Sequence, residues 1–265
     1  MSVVKKFRSR CESRVIGVLQ DRFANGRCSD AFGNSYVPLS NVDDLVPQIR
    51  SQAVDLVMVS ARDRTGALVA PRIARIARRD RPPVVAYIDT MPDSLGQLRN
   101  LLNAGISDLI IRDVDDSPHS LRGLLRISAL NRVVADSQAV VDAHMREPHR
   151  SLWRYCLAHA TSSVSAPDIA TVFDVTARTL TNWTTRRQIR GIRGLLGRCR
   201  VVLASSLLRE SRFSAERIAL ELGFGSSSHL CNAIKRYTHL GWRDAITMED
   251  PAYWCMTLLV QVRER

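Results

Sequence analysis

The sequence predicts two domains in tandem, a doubly wound parallel α/β sheet followed by an all-α domain in which a long helix joins two helix-turn-helix units. Three observations predict it. As far as Leu130, short β-branched apolar runs alternate with helix-length amphipathic segments, the pattern of a parallel sheet covered on both faces. Beyond that point a helix, a tight turn and a second helix are spelled twice, first in Ser165–Ile189 and again in Phe213–Tyr237. The positive charge is uneven as well. Met1–Glu147 holds 21 Lys and Arg against 17 Asp and Glu, whereas Pro148–Arg265 holds 17 against 9, so +8 of the net +12 lies in the second half. The chain has 265 residues, 45% of them hydrophobic, enough for two separate cores.

In chain order, the expected strands are Arg14–Leu19 (RVIGVL), Ala53–Val59 (AVDLVMV), Pro83–Ile88 (PVVAYI) and Asp108–Ile111 (DLII). Amphipathic segments lie between them, notably Leu68–Arg79, Ser94–Ala104 and Ser120–Leu130. Leu121–Met145 keeps helical spacing almost throughout and reads as one long last helix. The polar, Pro-containing stretch Arg146–Arg150 then breaks the pattern, which places the boundary between a domain 1–146 and a domain 147–265.

The segments VDLVMVS, PPVVAYID and NAGISDLIIRD resemble the third, fourth and fifth strands of a response-regulator receiver domain. Receivers take phosphate on an Asp ending the third strand, with an acidic pair for Mg²⁺, a Ser or Thr ending the fourth strand and a Lys ending the fifth. Here the phosphoacceptor position falls on Ser60, the hydroxyl position on Ile88, the Lys position on Arg112, and the acidic pair is reduced to Gln20 and Asp21. The resemblance therefore implies a receiver-like fold without receiver chemistry, a pseudo-receiver working without Asp phosphorylation. Asp63 and Asp89, close to strand ends, are read as turn formers rather than as a rearranged acidic pocket. A homodimer through this domain is expected by analogy only.

In the second domain, Leu152–Ala160 reads as a short helix whose Trp153, Tyr155 and Leu157 cap the core of the first unit. Asp168–Phe173 is that unit's first helix, Asp174 and Val175 its turn, and Thr176 the N-cap of its recognition helix, with Leu180 and Trp183 facing inward. In the second unit Ile218, Ala219 and Leu222 share one face, Gly223 turns the chain, and Ser226 caps a helix with the apolar stripe Leu230, Ala233, Ile234 and Tyr237. Leu195–Leu208 is the connecting helix that sets the spacing of the two units. Tyr253–Val260 reads as a final helix or strand packed on a core.

Arg200 with Ala204 and Leu208, the I-A-x-x-x-G-F run at Ile218–Phe224, and the pair Ile234 and Lys235 resemble the AraC/XylS-type transcription regulators over Leu152–Arg243. Two departures stand out. His239–Trp242 replaces the usual Gly-x-Thr-Pro step, and Thr184 stands where a large apolar residue is usual, so that Trp183 is expected to fill the space. The resemblance implies duplex DNA as partner, with base-reading positions at Arg178, Thr181, Asn182, Ser227, Ser228, His229 and Asn232. Arg186, Arg187, Arg190, Lys235 and Arg236 are expected on phosphates. Arg can pair bidentately with guanine and Asn with adenine, while Ser and Thr are permissive, so the serine-rich second helix implies the looser half of the site. Two recognition helices about 34 Å apart enter successive major grooves on one face of a duplex. A contact with RNA polymerase is a further expected partner.

No nucleophile–base pair, glycine-rich phosphate loop or metal-ligand cluster is spelled, so no catalysis, metal or cofactor is expected. The six cysteines form no C-x-x-C pair and read as mostly buried thiols in a reduced compartment. MSVVKKFRSR lacks the apolar stretch of a signal peptide, and no run of eighteen apolar residues exists, which points to a cytoplasmic, nucleoid-associated protein without membrane contact. The alternative from another class is a nonenzymatic adaptor whose α/β domain binds a protein and whose helical domain has lost its function.

Overall fold

The computed structural model describes residues 14–51, 54–63, 65–74, 82–88, 95–209, 214–248 and 251–260. Their contacts divide the chain into two compact units, one ending at Ala129 and the other beginning at Leu130.

The first unit is a five-stranded sheet of β1 (Val15–Val18), β2 (Tyr36–Pro38), β3 (Leu56–Ser60), β4 (Val84–Ile88) and β5 (Asp108–Ile111) in the order β2-β1-β3-β4-β5. Every pairing is parallel, from Val15 opposite Tyr36 to Ile88 opposite Ile111. This is the flavodoxin-like doubly wound order, in which functional loops gather at the carboxyl ends of the strands. The two-residue period of a strand divides the apolar side chains between two cores. Val15, Leu56, Met58, Val85 and Tyr87 point to a core shared with α1 (Arg22–Phe32) and the start of α5 (Pro118–His144). Ile16, Val57, Val59, Val84 and Ala86 point to the opposite core, closed by α2 (Leu45–Ser51), α3 (Ala70–Ala74) and α4 (Leu95–Asn103). The four expected strands are present, with β3 starting at Leu56 rather than at Ala53. The fifth, β2, has only three residues and ends in Pro38, too short to produce a period of two. Residues 75–79 of the expected Leu68–Arg79 segment and Ser94 of the next one lie outside the described residues.

The long last helix is continuous over Pro118–His144, 27 residues. Its first part packs in the sheet unit and its residues from Leu130 onward belong to the helical unit. In that second unit the Gln138 amide donates to the Arg154 carbonyl at 3.1 Å, Cys255 Sγ donates to the Ser137 carbonyl at 3.5 Å, and Arg154 pairs with Asp142. The polar stretch 146–150 spans the break after α5 and the first two residues of α6 (His149–Ala158).

The helical unit is hung on α9 (Gly191–Arg209), 19 residues long and every one of them from Val201 to Leu208 buried. The helix starts four residues earlier than the expected Leu195: Gly191, at φ +67°, turns the chain into it, and Gly194 does not interrupt it. Packed on it are α6, α8 (Ala177–Thr185), α10 (Ala215–Glu221), α11 (Ser227–Thr238), α12 (Trp242–Met248) and α13 (Pro251–Cys255). Trp153 of α6 is fully buried and its indole N–H donates to the Leu259 carbonyl at 2.9 Å, so it caps the core through the C-terminal segment. That segment is α13 followed by a π-helical turn, Met256–Val260, with Leu258, Leu259 and Val260 buried. Burial pushes the Cys156 and Cys255 thiols up to about 12 and the Cys199 thiol well above its ordinary value, which leaves them as inert core groups. Among the described residues no helix is long and apolar enough to cross a membrane.

Candidate nucleic-acid interface

Each helix-turn-helix unit is built by the same local rules. In the first, Ser165 and Asp168 form a reciprocal capping box that starts α7 (Ala166–Val172). The chain then turns through Asp174 at φ +50°, and the Thr176 side chain accepts from the Thr179 amide to start α8. In the second, Ser214 caps α10, Gly223 turns the chain at φ +72°, and the Ser226 side chain accepts from the His229 amide to start α11. Glu216 adds a link that the sequence did not disclose. Its carboxylate accepts the Ser227 amide at 3.1 Å, tying the start of α11 to α10, and Ser227 holds that carboxyl below its usual range. An acid two residues past the Ser214 cap, eleven before a helix start, was the available signal.

The backs of both recognition helices are anchored. Leu180 and Thr184 are fully buried on α8, and Leu230 and Ile234 on α11. Ile218, Ala219 and Leu222 of the second unit are buried as expected. The expectation for Trp183 is corrected. Thr184 itself occupies the inward position, and its hydroxyl donates to the Leu180 and Thr181 carbonyls at 3.2 and 2.9 Å, which removes the cost of burying it. Trp183 is only half-buried and meets Phe173 edge-on at 6.5 Å, the end of an aromatic row that continues through Tyr155 to His159.

The opposite faces are open. Arg178, Thr181, Asn182, Arg186 and Arg190 are exposed in the first unit, and Ser228, His229, Asn232, Lys235 and Arg236 in the second. Arg187 and Ser227 are half-buried. Thr181 spends its hydroxyl on the Ala177 carbonyl at 2.9 Å. Arg178, Asn182, Arg186, Arg190, Asn232, Lys235 and Arg236 make no side-chain hydrogen bond or ion pair with other described residues. Behind the end of α8, the His149 ring lies edge-on to Trp153 at 5.7 Å. Burial, then the charges of Arg187 and Arg186, push its pKa below the ordinary value.

The carboxyl edge of the sheet is arranged differently. Ser60 accepts the Gln20 amide at 3.0 Å, so its hydroxyl fastens the β1–α1 connection to the end of β3. Asp21 caps α1 through the Phe23 amide and pairs with Arg112 at 2.9 Å. Ile88 is buried, and its carbonyl accepts the Arg112 amide at 2.9 Å. Beside this pair Arg27 meets Asp113 at 3.1 Å and the buried Asp116 at 3.5 Å, and the Tyr87 hydroxyl donates to Asp116 at 2.6 Å. The guanidiniums of Arg27 and Arg112 lie 4.7 and 5.0 Å from the Phe23 ring centroid. Asp63 is a turn former. It accepts from the Thr65 hydroxyl and amide and the Ala67 amide, and these bonds, with Arg72, hold its carboxyl low. Asp89 lies outside the described residues. Among the described residues no group of three or more His, Cys, Asp or Glu could hold a metal ion.

Residues 169–241 match a helix-turn-helix domain family of the AraC type, which covers α8 to α11 and the end of α7. The match supports a DNA-binding transcription regulator. No curated protein matches the chain. Two solved structures are similar to it at 12% identity each, full-length FixJ from B. japonicum and the response regulator StyR. They cover 87% and 86% of this chain and 100% of their own, with TM-scores of 0.32 and 0.34.

Proposed function

We propose that the chain is a sequence-specific, nonenzymatic transcription regulator that sets α8 and α11 into successive major grooves of one duplex. The observation that carries this reading is the pair of anchored helices on one spine, each with an apolar back and a front of unpartnered polar and cationic side chains. The spine α9, 19 residues and so about 28 Å long, is of the length that keeps two recognition helices near one turn of DNA apart. Arg178, Thr181, Asn182, Ser227, Ser228, His229 and Asn232 face base edges in this reading, and Arg186, Arg187, Arg190, Lys235 and Arg236 face phosphates. The receiver-like unit controls or dimerises the DNA-binding part without an aspartyl phosphate. The Ser60 hydroxyl engaged by Gln20 and the Arg112 charge on Asp21 support that part. A homodimer through this unit, a contact with RNA polymerase and a cytoplasmic place on the nucleoid complete the proposal.

Selection of bound duplexes from a random pool by the full chain tests it. The expected product is a site of about twenty base pairs with two protected blocks one helical turn apart. Within that site Arg178→Ala relaxes preference at one position by about 1–3 kcal/mol, whereas Arg186→Ala weakens all sequences alike. Equal, uniform losses in both variants would remove α8 as the reading helix. For the first unit, incubation with acetyl phosphate and Mg²⁺ leaves the intact mass unchanged, and a stable added phosphoryl group on the chain refutes the phosphate-independent reading.

A further inference from the structure

A cleft in the helical unit lies between the two helix-turn-helix units and has no assigned role. Its volume is about 650 Å³. One wall is the connection from α6 to α7 with the first residues of α7, the floor is the first half of α9, and the other wall is Phe224 with the second half of α11. Three arginines line it, Arg193, Arg200 and Arg236, and no acidic residue does. The nearest acid in sequence, Asp168, has its carboxylate turned onto the Ser165 amide and hydroxyl at 2.8 and 2.6 Å.

The three arginines are held differently. Arg200 is part of the wall, its guanidinium donating to the Ala160 carbonyl at 2.7 Å and the Ser162 carbonyl at 3.4 Å. Carbonyl dipoles meet its charge there. Arg193 and Arg236 stand exposed on the floor and the opposite wall, with no side-chain hydrogen bond or ion pair to other described residues. The approach of α11 to α9 is set beside Arg236. A Cβ at Gly197 would lie 2.5 Å from the Tyr237 hydroxyl, so only glycine admits that ring, and the Arg198 guanidinium lies 5.9 Å over it. On the α11 side the cleft adjoins the polar face of the helix. Asn232 is one helical turn before Arg236 on α11, and Arg190 stands three residues before Arg193.

We propose that this cleft seats the sugar-phosphate backbone of the duplex where it passes between the two major grooves, with Arg193 and Arg236 taking phosphate oxygens from two sides. The inference rests on the DNA-binding reading above and adds a third point of attachment to it. Phosphate contacts carry no sequence information but fix register, and guanidinium forks suit phosphate. A backbone gripped midway makes the spacing of the two half-sites part of what the protein recognises. Among the residues of the clamp, Arg193 stands outside both recognition helices.

The test uses the full chain and a duplex it selects from a random pool. Neutral methylphosphonate linkages are placed midway between the two protected blocks, or in equal number at the duplex ends. Neutral linkages in the middle should lower the affinity of the unaltered protein by about tenfold, the scale of one charge-assisted hydrogen bond removed. The Arg193→Ala/Arg236→Ala variant should bind the unmodified duplex correspondingly more weakly, keep its base preference, and be indifferent to the middle linkages. Its thermal transition should match that of the unaltered chain, since both side chains are exposed. Indifference of the unaltered protein to the middle linkages, with preserved sequence preference, overturns the clamp and leaves the recognition helices in place. Failure to select any sequence overturns both. Inorganic phosphate, raised at constant ionic strength, should compete no better than chloride. A saturable competition abolished by the double variant would make the cleft a small-anion site and would also overturn the proposal.

Discussion

At the carboxyl edge of the sheet, Arg27 and Arg112 are met by Asp113, Asp116 and Asp21, whereas Arg178, Arg186, Lys235 and Arg236 on the recognition helices meet no carboxylate among the described residues. Both regions are rich in arginine, and both lie where their folds commonly place function. The difference is in closure. Cations met by carboxylates within a few ångströms, around the Phe23 ring, have their charge spent within the fold, and they hold loops together. Unpartnered cations on a helix whose back is buried project their field outward, and a polyanion recovers the missing interaction. The carboxyl edge of the sheet is thus a structural knot, while the cations without a carboxylate partner lie in the other half of the chain.

The largest effect is expected behind the recognition helix. Leu180→Ala deletes a fully buried anchor and should cost about 2–5 kcal/mol in a denaturant titration of the helical unit. A cost within experimental error would mean that α8 is not held by its back. The Arg186→Ala/Arg190→Ala/Lys235→Ala variant comes next. The slope of log affinity against log salt should shrink by about 0.9 for each phosphate no longer neutralised, while Arg27→Ala leaves it unchanged. Equal shrinkage in both would erase the distinction between free and neutralised arginines. Removing the caps, Thr176→Ala or Ser226→Ala, should each cost about 1 kcal/mol of stability, with base preference retained in what remains folded.

Arg112→Ala sharpens the other side. Its pair with Asp21 is about a third exposed on both partners, so the loss should stay within about 1 kcal/mol. DNA affinity should not change. The smallest effect is a pH dependence from His149. Because its folded pKa is lowered, the neutral ring is favoured on folding. Its contribution is therefore present above the ordinary value of 6.5 and is lost as pH falls below it through the folded pKa. His149→Gln should flatten that part of the stability-against-pH curve, and an unchanged curve would assign the dependence elsewhere.

Much of the fold could be read beforehand because its signals are local. Four strands, the long α5, the Thr176 and Ser226 caps and the Gly223 turn each follow from a few neighbouring residues whose backbone preference agrees with the final structure. The misses share the opposite property. β2 was too short to show a period, and Thr184 took the inward place because two backbone carbonyls satisfy its hydroxyl while Trp183 found Phe173 at the rim. The link from Glu216 to the Ser227 amide escaped for the same reason, since it joins residues eleven apart across a turn.

By itself the sequence determined four of the five strands, the long α5, the caps that start both recognition helices and the side of α11 that must be buried. Periodicity and capping are short-range effects, and they are written in adjacent residues. Only the tertiary structure decided which charges cancel. Arg112 meets Asp21 because β1 and β5 end at the same edge of one sheet, and Arg193 faces the same cleft as Arg236 because Gly197 lets α11 lie close on α9. Pairing in space depends on where distant segments meet, and a charge's neighbours along the chain do not reveal its neighbours in the fold.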